Sequence, residues 1–377
     1  MATDRADLIV VGAGLTGTAA AWAASSRGLD VVVLEAFGPG HRQGSSHGSA
    51  RIFRRAYADP LYVRLAGAAG RLWRQLEAEG GRPLLTRTGE VDFGPSDAPR
   101  QMAAVLAACG VDARLLGGQE AAERWPGIDF GDDPVLFHEE AGVLDPELAM
   151  TAMLRLATER GAQVRFDTPV ERLAASADGS SARVDTPSGP VSAPVVVVAA
   201  GAWTAPLLGG LLELPALTVT QQQVFHFAPA GPSPARPWPV LIHHDQGLDF
   251  YGLPGGRDGG APGALKLGEH TSGTVTTADG RNFTVDPAAR RRATSFVARR
   301  LPGLDPAPLN EATCLYTWTP SEDFILDRPG GGPFVVASPC SGHGAKFAPL
   351  TGQVIADLAT GESSADYRFS LAAHLAR

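Results

Sequence analysis

Three glycines, Gly12, Gly14 and Gly17, stand as Gly-x-Gly-x-x-Gly near the N-terminus, and Glu35 closes the apolar run that follows. Glycines so spaced let a backbone turn tightly, approach a pyrophosphate and pack a helix on a sheet. An acid beyond them accepts hydrogen bonds from ribose hydroxyls. The helix that starts there turns its unpaired N–H groups and positive dipole end toward phosphate. A carboxylate at the ribose disfavours a 2′-phosphate, which argues against NADP. The pattern predicts a bound dinucleotide and leaves NAD and FAD both open.

Only two of the 32 basic residues are lysines, Lys266 and Lys346. In a chain otherwise committed to arginine, they are either surface leftovers or places where a compact charge of movable pKa is needed. The three cysteines, Cys109, Cys314 and Cys340, are too few for a disulfide framework and match no zinc spacing. His243-His244-Asp245 has metal-binding composition, but adjacent residues point apart on a strand and no third ligand is evident. We assign it to a loop and expect no metal. Trp73, Trp125 and Trp203 are expected to serve packing.

These residues need elements to hold them. Leu8 to Val11 is a short buried strand, Thr18 to Ser26 an Ala-rich helix stopped by Gly28, and Val31 to Leu34 a second buried strand. Together they form a βαβ dinucleotide unit. Gly38 to Gly48 is a Gly/Ser/His loop, and helices are predicted at 62–79, 98–108, 146–160 and 352–360. Segments 164–166 and 182–186 read as strands of a small sheet, and 195–198 and 334–337 as buried strands. Residues 217–316 are mostly extended, with Gly/Pro turns at 254–263. Nucleotide-type segments thus fall at both ends and in the middle, so the domains are interleaved.

The chain has 377 residues, 44% apolar and 19% charged, enough for two domains or one large interrupted one and inconsistent with disorder. No apolar run near the start approaches a signal peptide or membrane span, so a cytoplasmic protein without a membrane partner is expected. The net charge of -8 with no basic stripe argues against nucleic acid.

The loop Gly44-Ser45-Ser46-His47-Gly48-Ser49-Ala50-Arg51-Ile52-Phe53-Arg54 resembles the flavin-contacting loop of the monomeric sarcosine oxidase and N-methyltryptophan oxidase family. Four further stretches resemble the same enzymes in order: Val195 to Trp203, Leu265 to His270, Cys314 to Thr317, and Ser341 to Phe347. The resemblance runs from about residue 5 to 360 and implies FAD rather than NAD. It implies a thioether from Cys314 to the flavin 8-methyl group, Lys266 near flavin N5 for the reaction with oxygen, and Arg54 with Lys346 holding a substrate carboxylate. It also places His47, Arg51, Gly342 and Gly344 at the cofactor, and Tyr251, His270 and Tyr316 at the substrate face.

The expected fold is α/β, a Rossmann-type FAD-binding domain (1–88, 139–216, 317–377) interleaved with a mixed, largely antiparallel α+β substrate domain (89–138, 217–316). The implied reaction oxidises a secondary amine bearing a carboxylate. Hydride passes to flavin N5 to give an imine, and O2 then takes the electrons to give hydrogen peroxide. The alternatives are a cyclic imino-acid oxidase or dehydrogenase of a specialised biosynthetic pathway, and a flavin-binding protein without turnover. The expected partners are a small-molecule amine and O2, and the expected state is a monomer or small homo-oligomer. The chain departs from the family at Ala345, where an aromatic is usual, at Ala50, and at Glu269, expected to bring an anion near the site. These departures favour a bulkier amine than sarcosine.

Overall fold

The computed structural model describes residues 4–231, 237–245, 248–362 and 365–377. Its first sheet has six strands in the order 163–165, 31–34, 8–11, 195–198, 334–338, 325–327. The first five run parallel and the last is antiparallel. Strands 8–11, 31–34 and 195–198 are buried at every position, as near-continuous Val/Ile/Leu runs require when both faces are covered, one here by helices and the other by the small sheet of Leu173, Val184 and Val191.

The helix Leu15–Ser26 follows the first strand after the glycine turn. Gly12 takes φ +97°, and a Cβ there would come 2.7 Å from the Ala199 carbonyl oxygen; a Cβ on Gly17 would come 1.8 Å from that of Gly12. Neither position has room for a side chain, so helix and sheet can approach this closely only through glycine.

The larger sheet has nine strands. Eight follow the order 274–276, 218–229, 265–269, 250–254, 240–243, 90–93, 135–138, 114–116, and the long strand Leu304–Trp318 pairs with 218–229. Its pairings are antiparallel except that of 90–93 with 240–243. A four-stranded sheet (4–5, 191–193, 182–185, 172–175) and a three-stranded one (51–53, 142–144, 85–87) complete the fold.

Several expectations need correction. Residues 163–165 join the parallel sheet beside 31–34, whereas 182–185 do form part of a small sheet. Within the extended stretch lies the helix Pro287–Arg300, capped by the Asp286 carboxylate on the Ala288 N–H. Its Arg-rich sequence hides the apolar stripe, and only Ala289, Ala293, Phe296 and Val297 are buried. A short helix, Gly118–Arg124, and a terminal one, Leu371–Leu375, also lie outside the predicted set, and the helix predicted from 352 begins at Ala348. His243 is not in a loop: it ends the strand Val240–His243 and stacks edge-on against Phe93 and Phe296.

Candidate active site

One cavity of about 1330 Å3 runs from the glycine turn to the face of the nine-stranded sheet. An ordinary small-molecule site holds roughly 300–1,000 Å3, so there is space for an extended cofactor and a substrate together.

At one end, Gly12 and Gly14 line the cavity, while Gly17 lies behind them and acts only through packing. Gly14 offers the helix start no cap of its own, and the Leu15 N–H donates to Ser46 Oγ at 3.1 Å. Glu35 is buried there. Its Oε2 accepts the Ala13 N–H at 2.6 Å, its Oε1 accepts the Phe37 N–H at 3.1 Å, and His41 lies at 3.3 Å. Burial alone would raise this carboxyl, but those donors outweigh it and hold it below its usual range, as an anion. Trp203 also lines this end, near Phe37, and so is more than a packing residue. Trp73 does more than pack as well. It is fully buried, and its indole N–H donates to the Lys346 carbonyl at 2.7 Å.

The middle of the cavity carries His47, Arg51, Cys314 and Lys266. Arg51 spends its donors on its own loop, reaching the carbonyls of Ser45 (2.7 Å), His47 (2.8 Å) and Ala50 (2.9 Å). His47 is driven to about 3 by burial, then by Arg51, Arg281 and Lys266, and is neutral. Cys314 is buried, forms no disulfide and faces Gln222 across the sheet. The Lys266 ammonium donates to the Ala50 carbonyl at 3.3 Å. Burial lowers Lys266 to about 8, with Arg51 adding repulsion and Asp258 opposing it. Both lysines line the cavity and are buried, which disposes of the surface-leftover reading.

At the far end Arg54, Lys346, Tyr251, His270, Tyr316, Gly342 and Gly344 all line the same space. Lys346 donates to the Tyr57 hydroxyl at 2.9 Å and the His343 carbonyl at 2.8 Å. Burial and the Arg54 charge push its pKa well below the ordinary lysine value. His270 is lowered to about 4 by burial and Arg54, while burial raises Tyr251 and Tyr316; all three are neutral groups.

An acid pair behind Arg54 escaped the sequence reading. Arg54 Nη1 donates to Glu90 Oε1 at 3.1 Å and Asp92 Oδ1 at 3.3 Å, and both acids are fully buried. His244 bridges Asp92 (3.0 Å) and Asp249 (3.2 Å), and those two carboxylates raise it to about 9 despite burial. Glu90 is pushed up by burial and by Asp92. The signal was present: Glu90 and Asp92 at i and i+2 share one face of a strand. Such alternation ordinarily marks a solvent-facing side, and only the tertiary fold turns it inward.

Glu269 is not an anion at the site. Side chains alternate along the strand Leu265–Glu269, so Lys266 faces the cavity while Leu265, Leu267 and Glu269 face the opposite core. There Glu269 forms a two-pronged pair with Arg292, both contacts at 2.7 Å. Ala345 does line the cavity, as expected.

The FAD dependent oxidoreductase family model matches residues 7–358. The chain belongs to that family. It is 36% identical over 363 residues to the monomeric sarcosine oxidase of Streptomyces avermitilis, covering 94% of this chain and 93% of that one. It is 34% identical over 367 residues to the N-methyl-L-tryptophan oxidase of Citrobacter koseri, covering 95% and 96%. Among solved structures, NikD, described as an unusual amino acid oxidase essential for nikkomycin biosynthesis, superposes with a TM-score of 0.86 at 27% identity over 98% of both chains. The expected fold class holds, and the protein is an FAD-dependent amine oxidoreductase of the sarcosine-oxidase type.

Proposed function

We propose that this flavoprotein is an oxidase of a secondary amine bearing a carboxylate, an N-methyl or cyclic amino acid, with FAD attached through Cys314. The observation that carries the reading is the convergence of Arg54, Lys346, Lys266 and Cys314 on one cavity. The residues present suit the cofactor. The glycine turn leaves no room for side chains, the helix starts from a glycine that lines the cavity, and Glu35 is held ionised beside it. We assign segments 1–88, 139–216 and 317–377 to the FAD-binding domain and 89–138 with 217–316 to the substrate domain, a division supported by the strands of the two larger sheets.

FAD, when bound, takes two electrons from the amine C–H and passes them to O2, giving peroxide. The chain's own residues do the rest. Arg54 has Nη1 engaged by the two acids and keeps its other donors for a carboxylate. Lys346 supplies a second cation, and an arriving carboxylate restores the charge that burial opposes. Neutral His270 and Tyr316 orient the amine without protonating it. Lys266 holds positive charge where oxygen becomes an anion.

A peroxide-coupled screen of N-methyl and cyclic amino acids under air tests this reading. Absence of peroxide with reduction of an artificial acceptor would replace it with a dehydrogenase. The second reading is a cyclic imino-acid oxidase or dehydrogenase of a specialised biosynthetic pathway; the likeness to NikD, an amino acid oxidase of such a pathway, supports its biosynthetic part, and the same panel tests the substrate.

Two further outcomes are expected. Because Lys266 titrates near 8 and acts as a cation, the second-order rate of flavin reoxidation is constant below pH 7 and falls as pH rises through that value. A flat profile from pH 6 to 10 in stopped-flow reoxidation contradicts it. Refilling the opening at Ala345 by Ala345→Trp should lower kcat/KM for bulky amines about tenfold or more while sparing small ones. Equal losses across the panel would deny Ala345 a part in selection.

A further inference from the structure

Arg281 belongs to none of the motifs above, yet it ties two cofactor-facing segments together. It is buried, on the segment between the strand Thr274–Thr276 and the helix Pro287–Arg300. Its Nη1 donates to three successive carbonyls of the loop before His47: Arg42 at 2.5 Å, Gln43 at 2.9 Å and Gly44 at 3.3 Å. Its Nε and Nη2 reach Thr313 Oγ1 at 3.1 and 3.0 Å, and Nη2 also donates to the Thr313 carbonyl. The Phe283 ring covers the guanidinium at 4.2 Å.

A second stitch lies on the other side of Cys314, where Ser45 Oγ donates to the Leu315 carbonyl at 2.5 Å. The carbonyls flanking Cys314 are therefore both tied to the 42–45 loop. The strand Leu304–Trp318 pairs with 218–229 along one edge, so carbonyls at i and i+2 on its other edge lack a strand partner. Here the cofactor loop takes that place. Arginine suits this position because its planar fork can serve two segments at once, which a lysine point charge cannot.

We propose that Arg281 is a positioning residue for flavin attachment, holding the 42–45 loop in register with Cys314 so that the thiol meets the 8-methyl carbon of the ring. The proposal rests on the reading that Cys314 carries the flavin. In the step it serves, the thiol proton and one methyl C–H proton are released and the C–S bond forms. The two electrons left over reduce the ring, which takes up protons, and O2 then removes these electrons as hydrogen peroxide.

The test supplies flavin-free, full-length chain with FAD under air and follows two quantities. One is total bound flavin by visible absorbance, and the other is flavin retained after acid precipitation. Wild type should convert bound flavin to the acid-stable form, and Cys314→Ser should give none. Arg281→Met should bind FAD but form the thioether at least tenfold more slowly. A purely structural role would lower both quantities together, so an unchanged ratio overturns the proposal. Should Arg281→Met yield no folded protein, Thr313→Val, which deletes only the hydroxyl acceptor, is expected to slow attachment severalfold; an unchanged rate there overturns it. If wild type itself forms no acid-stable flavin, the covalent reading falls and this proposal with it. A wild-type thioether with an unimpaired Arg281 variant removes the proposal alone.

Discussion

Lys266→Met is expected to slow reoxidation of the reduced flavoprotein by O2 about a thousandfold while leaving anaerobic reduction by substrate within a few-fold of wild type. A unit charge about 4 Å from a developing anion is worth up to roughly 4 kcal/mol at an effective dielectric near 20, which is about three decades of rate. The lysine is buried, held by the Ala50 carbonyl, and set in register with His226 on the adjacent strand, so its charge is fixed in direction as well as in distance. Stopped-flow measurement of the two half-reactions separates this role from a general loss of structure. Equal slowing of both would refute it.

Replacing Arg54 by Met should be the second large perturbation, with two separable signatures. The first is binding: removing a hydrogen-bonded cation from a carboxylate subsite costs about 2–5 kcal/mol. The Kd of an unreactive carboxylate, read from perturbation of the flavin spectrum, should rise by about two to three decades. An amine without a carboxylate should bind as before. The second signature is stability. Glu90 and Asp92 are buried against Arg54, and removing one member of such an assembly costs about 3–5 kcal/mol because uncompensated charge is left behind. The variant should therefore melt well below wild type at neutral pH. Protonating the orphaned acids relieves that strain, so the deficit should narrow as pH falls. Equal loss of affinity for the amine and the amino acid would show that Arg54 shapes the cavity rather than binding the anion.

The different fates of individual residues show which parts of the site were legible in advance. Gly12, Gly14 and Glu35 could be placed because their spacing along one βαβ unit sets their separation in space, and the unit closes within a few turns of chain. Lys266 and Lys346 stood out by rarity, and Cys314 by its Leu-Tyr-Thr context. Glu269 was misplaced because one residue of register separates the cavity side of its strand from the core side. His244, Glu90 and Asp92 were missed because each takes its meaning from partners far along the chain: His244 and Asp92 are 152 residues apart, Arg54 and Glu90 36. Arg281 was missed for the same reason, as it reaches the 42–44 loop across 237 to 239 residues.

Read alone, the chain determined its dinucleotide unit through local periodicity and one short motif, while the residues expected at the cavity followed from its resemblance to a known family. Tertiary structure alone decided which side each strand presents, which charges neutralise one another, and hence that Arg54 stands on a buried acid pair while Glu269 is sequestered by Arg292. The physical reason is range. Backbone geometry is set by neighbours within a few residues, whereas burial and charge pairing depend on whichever distant segment packs alongside.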